Sequence, residues 1–503
     1  MLLAENNDTV YVIREVNFNV DGRSRPFALI SYGEFREGER IIGEENLHRY
    51  LATRRQLLLN QRVLEDVSIE YSLGEKEEDG ALPVTLLVHV RDTWNLIVLP
   101  YPRYDSNDGF SLSLRARDYN FLGTMQPLRL DLGYRHLDGD NALDFSIEST
   151  TPFQAFGLTW RARFDHFFSY TFGETLSYQN VSGIGVDLPW EATTFTVGIN
   201  QYLTVNEENS DEEQEYFGLG PRRYGTYGST ELFASWEIPF GFEVGDFGRL
   251  RYTPTLSERI NYPFPQMDDT RKPVTTFSHE IGFGRVDWIG NYRKGLSASI
   301  DNSYSYFLDR SDAPLKMSLD GRIAFHWPLT SFFGISSMLN YRQWWHWSES
   351  SEGWIPYYYA GDRLRGVLNN HLRAERMLSF NLDVPVRALV FTPSEWLNRQ
   401  ALRIFNFELH LSSFIDLAFV HGPYNMTKNE VEPYLEQTRF ELDDMVWAGG
   451  LEAIVFPGVF RSLYLRVSLG YNFNKIMSEG MSSLILGFIP RWDEIFIGLE
   501  HHY

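Results

Sequence analysis

Groups able to do covalent or metal chemistry are scarce in this chain. There is no Cys, which excludes thiolate nucleophiles, Cys-ligated zinc and disulfide frameworks. The 12 His show no ligand spacing: His-Glu-x-x-His is absent, and His501-His502 would put their rings on opposite faces of a strand. No Gly-x-Ser-x-Gly elbow and no phosphate loop occurs. No enzyme, cofactor or metal is expected. What remains is charge that could hold a fold together. In Leu364-Arg365-Gly366-Val367 a guanidinium precedes a glycine. Such a group can pair bidentately with a carboxylate, and the Gly permits a tight backbone at the contact. Taken alone, Arg365 reads as an ordinary loop arginine. Asn206 to Glu215 holds six acidic residues and no basic one; it reads as an external, solvated loop rather than a cation site.

The elements that must position these residues follow from composition and period. The chain has 503 residues, with 45 Lys plus Arg against 67 Asp plus Glu, a formal charge of −22. That balance opposes a nucleic-acid partner, whose phosphates need cations. Aromatics reach 16%, a level that suits rings at membrane interfaces. No run approaches the length of a transmembrane helix. A transmembrane β-barrel reconciles these facts, because its strands need apolar side chains only at alternate positions. Met1-Leu2-Leu3-Ala4 runs straight into Glu5, Asn6, Asn7 and Asp8, with no basic n-region or apolar h-region. The expectation is that an export leader has been removed.

Two domains are expected. In residues 1–92, Val16, Phe18 and Val20 alternate as a strand. Leu47, Tyr50, Leu51 and Leu58 then fall on one helical face, and Val67, Ile69, Tyr71, Leu73 and Val84, Leu86, Val88, Val90 return to strand period. This predicts a small α+β domain with helices on one face of a sheet. From residue 93 to 503 the helical period is lost. Leu128, Leu130, Leu132 and Tyr134 alternate with Arg129, Asp131, Gly133 and Arg135, and Leu296, Ala298 and Ile300 alternate with Ser297, Ser299 and Asp301. Pro152 to Gln154 and Asp187 to Trp190 read as short turns at one end, with long polar loops at the other. The first barrel strand is placed at about Trp94 to Tyr104. Its Pro100 and Pro102 remove two donors and would weaken its pairing. The last strand runs from about Glu494 through Gly498 to the terminal Tyr503.

Several segments resemble the BamA/TamA outer-membrane assembly superfamily, in which periplasmic POTRA domains precede a sixteen-stranded antiparallel barrel. Residues Val12–Val20, Arg55 to Asn60 and Val63 to Val67 look like one POTRA. Asp118 to Thr124 resembles the barrel opening. Tyr357 to Val367 resembles the sixth extracellular loop, with the aliphatic-Arg-Gly-aromatic tip at Leu364 to Val367. Phe414 to Ala418 resembles the Phe-x-Asp-x-Gly strand. Gly449 to Glu452 and Ser462 to Arg466 resemble the penultimate hairpin. Val367 and Ala418 depart from the usual aromatic and Gly. The alternation counts nearer eighteen strands than the sixteen that the resemblance implies. The surplus is a hairpin at about Ser229 to Asn261, either wall or loop insertion.

The resemblance implies that Arg365 meets Asp416 inside the lumen, with Asp383 or Asn381 nearby. It implies a bacterial outer-membrane protein, its first domain in the periplasm, that inserts or translocates unfolded client proteins through a weak seam between first and last strands. Its partners would be the bilayer, outer-membrane or secreted clients, and periplasmic or lipoprotein accessory subunits. A two-partner-type secretion pore, a plain channel or porin, and a mitochondrial insertase are the alternatives.

Overall fold

The computed structural model describes residues 9–105, 109–137, 140–173, 176–206, 225–243, 248–263, 273–307, 315–347, 358–359, 364–365, 373–374, 376–421, 424–425, 430–431, 445–473 and 495–498. The acidic stretch 206–215, apart from Asn206, lies outside them, as do Gly366, Val367 and Tyr503.

The N-terminal part is built from β1 (Val10–Asp21), α1 (Pro26–Gly33), β2 (Arg40–Ile42), α2 (Glu44–Asn60), β3 (Leu64–Leu73) and β4 (Leu82–Asp92). Its sheet has the order β2-β1-β4-β3, with β1 parallel to β4. A parallel pair needs a long crossover, which the two helices and β3 provide. Leu47, Leu51, Arg54 and Leu58 give α2 one buried face. Glu44 and Glu45 sit in its first turn, where the helix dipole favours them. Val84, Leu86 and Val88 point from β4 into the same core, together with Ile13, Leu29 and Leu64. Helix α1 went unread in the sequence, where its eight residues show no clear amphipathic period.

Beyond residue 95 most of the described strands form a closed antiparallel barrel, and four two-residue strands form two separate pairs, Tyr358–Tyr359 with Arg373–Ala374 and Tyr424–Asn425 with Glu430–Val431. It runs in chain order from Leu96–Asp105 and Gly109–Asp118 through Arg376–Phe391, Phe407–His421, Met445–Pro457 and Leu465–Asn472 to Ile495–Gly498, which lies beside the first strand. The ring traced by the described residues has eighteen strands, not sixteen. Gly225–Glu243 and Arg249–Pro263 are wall strands, not a loop insertion: Ile199 pairs Leu232 on one side and Leu256 pairs Phe277 on the other. Both belong to an outward apolar band that also includes the ladder pairs Leu114–Leu132, Ile184–Ile199, Ile281–Ile300 and Ile323–Leu339. All of these side chains are exposed. The intervening positions face inward and pair by charge: Arg117 with Asp131 at 2.6 Å, Arg161 with Asp187 at 2.8 Å, Arg342 with Asp320 at 2.5 Å.

The two short turns sit a few residues later than the sequence suggested. Pro152 to Gln154 and Asp187 to Trp190 are strand, opposite Arg161 to Thr159 and Thr196 to Thr193. The reversals fall where the backbone turns left-handed, at Phe156 (φ 55°) with Gly157 (φ 75°) and at Glu191 (φ 54°), as two-residue hairpins require.

The small domain is docked on the barrel at the end where the chain enters. Asn120 donates to Ser24 Oγ at 2.8 Å and to Asp92 at 3.1 Å, and Arg25 N–H donates to the Gly123 carbonyl at 2.8 Å. Gly123 has φ 76°, and a Cβ there would lie 1.9 Å from the Arg23 carbonyl oxygen, so only Gly fits. Across the ring, Asn60 bonds Asp287 at 2.8 Å, and Arg461 donates to the Leu64 and Glu65 carbonyls at 3.1 and 2.8 Å. Arg62 donates to the Arg461 carbonyl and to Asn291 at 3.2 Å, with its guanidinium 4.2 Å from the Trp288 ring. Burial, with Arg461 and Arg293 close by, works against the Arg62 charge, and these acceptors and the ring offset that cost. Tyr119, Met125 and Leu463 complete the small domain's own core.

Candidate functional site: an arginine anchored in the barrel lumen

Asn381 and Asp383 lie on Arg376–Phe391, Phe414 and Asp416 on Phe407–His421, and Glu452 on Met445–Pro457. The ladders set Asn381 opposite Asp416 and Asp383 opposite Phe414. They also set Phe414 opposite Gly450 and Ser412 opposite Glu452. Outward Ile415 and Leu451 flank these positions, so strand alternation turns the whole set inward.

Arg365 enters this inner face. Its backbone N–H and its Nε both donate to Asp416 Oδ2 at 2.9 Å, and one terminal nitrogen donates to Oδ1 at 2.7 Å. The other terminal nitrogen reaches Asp383 at 2.5 Å and Glu452 at 3.0 Å. Asp416 is fully buried, and its remaining lone pair accepts from Asn381 at 2.8 Å. Glu452 also accepts from Ser468 at 2.8 Å and lies 3.4 Å from Arg466. The guanidinium stacks 3.9 Å over the Phe414 ring. That ring needs Gly450 beneath it, since a Cβ there would come within 2.7 Å of the ring and 1.8 Å of the Leu469 carbonyl oxygen.

Leu364 is buried against Ala374, Met377, Ala418 and Ala448. A methyl at 418 therefore forms part of the pocket floor. The arrangement pins one segment of chain to three consecutive wall strands through a polar lock and an apolar plug.

Sequence reasoning missed Glu452 as an acceptor and Phe414 as a stacking surface. Glu452 lies 87 residues from Arg365, and only the inner-face parity of its strand could have pointed to it. Of the seam residues, Trp94 precedes the first strand and is exposed. Pro100 and Pro102 are in that strand opposite Leu114 and Leu112, and Gly498 ends the strand Ile495–Gly498. The two prolines are two residues apart, so both lack a donor on the same edge.

Fold and site together define a closed antiparallel β-barrel with a lumen-anchored segment and a docked α+β domain. No family model matches the chain and no curated protein matches it. Among solved structures, BamA from Haemophilus ducreyi lacking POTRA domains 1–3 is similar at 13% identity and a TM-score of 0.36, over 97% of this chain and 83% of that one. CdiB from Escherichia coli is similar at 11% identity and a TM-score of 0.47, over 92% and 73%. The siderophore receptor PirA from Acinetobacter baumannii is similar at 12% identity and a TM-score of 0.33, over 91% and 72%. Scores below 0.5 that extend from BamA to a siderophore receptor do not choose a function, so the role has to be read from the site.

Proposed function

We propose that this chain is a bacterial outer-membrane protein that inserts or translocates unfolded protein clients, and that its small domain is a single periplasmic POTRA. The observation that carries this reading is the Arg365 lock. Fixing a segment of chain in the lumen narrows the pore and costs that segment conformational entropy, and the three-strand lock does more than a constriction requires because it ties wall strands to one another. A barrel whose wall must be held in one arrangement and released into another gains from that tie. The apolar band around the ring supports a lipid-embedded wall.

The route we favour is the seam between Leu96–Asp105 and Ile495–Gly498. A client strand would add to an opened edge by β-augmentation, exchanging backbone hydrogen bonds without nucleotide. Pro100 and Pro102 support a first strand with a deficient edge. Clients, the bilayer and accessory periplasmic or lipoprotein subunits would be its partners.

The chain has no native Cys, so a designed disulfide can be unambiguous. Val98→Cys is combined in turn with Cys at Ile495, Phe496, Ile497 or Gly498, and the pair that cross-links is assayed for client insertion into vesicles. Loss of insertion that reductant restores is the expected result. Full activity in the locked barrel defeats lateral opening. Passage of a client across the membrane with the seam locked assigns the lumen instead, as in a secretion pore.

A further inference from the structure

The connection between Arg376–Phe391 and Phe407–His421 is the longest at the domain-bearing end among the described residues. Three hairpins there turn in two residues, at 156–157, 191–192 and 290–291, whereas this connection spans 392–406. Hairpin loops are usually two to five residues, and longer ones tend to carry a function. It forms a helical turn, Pro393–Trp396, and a 3-10 segment, Gln400–Phe405. Asn406 pins one to the other, accepting from the Ser394 N–H at 3.3 Å and donating to Ser394 Oγ at 2.7 Å.

The segment lies against the outside of the barrel, not beneath its lumen. Phe391 pairs Phe407, in the same outward register as Leu389 and Leu411, both of which are exposed on the wall. The Trp396 ring stands edge-on to Phe391 at 5.1 Å. Trp396, Leu397, Ile404 and Phe405 are all 56–63% exposed, a concentration of apolar surface that water does not favour. At the same end of the barrel, Phe156 and Phe332 on their turns and Trp190 at the end of its strand are also exposed, so aromatic rings lie at this level around the wall as well. Arg399 and Arg403 are the basic members of the segment, and Arg403 also pairs with Glu65 of the small domain.

We propose that residues 392–406 lie in the interfacial zone of the bilayer, with Trp396, Leu397, Ile404 and Phe405 among the acyl chains. Arg399 would sit at headgroup phosphates, while Arg403 ties the small domain to that surface. Amphipathic segments with aromatic apolar residues and basic flanks bind interfaces in this way. This inference rests on the lipid-embedded reading of the barrel.

The full chain, purified and reconstituted in phosphatidylcholine–phosphatidylglycerol vesicles, is labelled with an environment-sensitive fluorophore at one introduced cysteine. The variants are Leu397→Cys, Phe405→Cys, Ile281→Cys on the outward wall and Glu78→Cys in the small domain. Quenchers are brominated lipid and aqueous iodide. The expected result is that labels at 397 and 405 lose most of their emission to brominated lipid and little to iodide, as at 281, while 78 does the reverse. If 281 is quenched by lipid but 397 and 405 by iodide, the barrel is embedded and the interfacial segment is refuted. If 281 is not quenched by lipid, the embedding itself fails. If 397 and 405 respond to neither quencher, protein covers the segment and the bilayer assignment is overturned.

Discussion

Replacing Arg365 with Ala removes the group that neutralises three wall carboxylates at once. Asp416 has no side-chain exposure, Glu452 has 3% and Asp383 has 29%. Water can therefore take over at Asp383 but not at Asp416. Arg466 and Ser468 would remain near Glu452, and Asn381 with the backbone N–H of residue 365 near Asp416, but no cation would remain on Asp416 among the described residues. Breaking a buried pair by removing one partner costs roughly 3–5 kcal/mol, whereas a solvated pair would cost about 1 kcal/mol or less. The burial of Asp416 selects the larger figure. The cost falls on the docked state of the 364–365 segment, so its release should grow by roughly a few hundred- to a few thousand-fold. Ala418 is buried beneath Leu364 and offers a reporter. In a chain free of native thiols, Ala418→Cys reacts with a lumen-permeant maleimide only when the segment lifts. Labelling of A418C should be slow in an otherwise native barrel and faster by that factor with R365A. Arg365→Lys should fall between, since an ammonium keeps the charge but not the fork. Equal labelling rates with and without Arg365 would refute the anchor, and a change of only a few-fold would show that the site is wet.

Other outcomes follow from the same geometry. Gly450→Ala drives a methyl into the Leu469 carbonyl and the Phe414 ring, so it should lower stability by about 1–3 kcal/mol, as overpacking does; heat-modifiability on gels should show earlier unfolding. Arg62→Ala should loosen the small domain by about 2–3 kcal/mol, the scale of a lost charged hydrogen bond with its ring contact. Pulsed EPR distances from a label at residue 78 to one at residue 281 should broaden. The β3–β4 turn should be acid-sensitive. The Arg14 side chain, hydrogen-bonded to Glu77, holds the Glu77 carboxyl below its usual range, and the Ala81 N–H with Arg40 does the same for Asp79. Folded values below the unfolded ones mean stabilisation that is complete above about pH 4.3 and lost as pH falls through the folded values. A spin label at residue 78 should gain mobility there, and R14A should shift that gain to higher pH.

Strand alternation was legible because each wall strand meets two different solvents. Arg129 and Asp131 must face a wet interior while Leu130 and Leu132 do not, and the sequence records that requirement two residues at a time. The face of α2 was legible for the same reason. Proline misled the turn assignment. Pro152 and Pro189 sit inside strands, while Phe156 and Glu191, which carry no turn signature, adopt the positive φ. The lock was less legible still. Arg365, Asp416 and Glu452 are brought together by ladder register across three strands, and no local spacing encodes register. Asn120 to Gly123 stood out as a motif, but its work, receiving Arg23 to Arg25 of the small domain, depends on a docking that periodicity cannot express. Arg62 gave no signal at all, because a left-handed arginine under a tryptophan is defined only by what surrounds it.

The placement of the dock constrains how a seam could open. Tyr119 and Met125 follow the first hairpin of the barrel, and Leu463 precedes its penultimate strand, so they lie on opposite sides of the seam. All three are buried in the core of the small domain. At that end the two sides of the seam are joined through one hydrophobic cluster, reinforced by Asn120 with Asp92 on one side and Arg461 with the Glu65 carbonyl on the other. Parting the strands there would expose that cluster, at about 25 cal/mol for each Å² of apolar surface, as well as the polar contacts. No such cluster bridges the seam at the other end among the described residues. The Arg365 lock lies on the last-strand side and stiffens the three strands that carry it. Were the proposed seam to part, these contacts would hold it closed at the small domain and leave the far end to open first. In that proposed opening the polar lock would decide whether the last-strand side moves as a rigid panel or bends strand by strand.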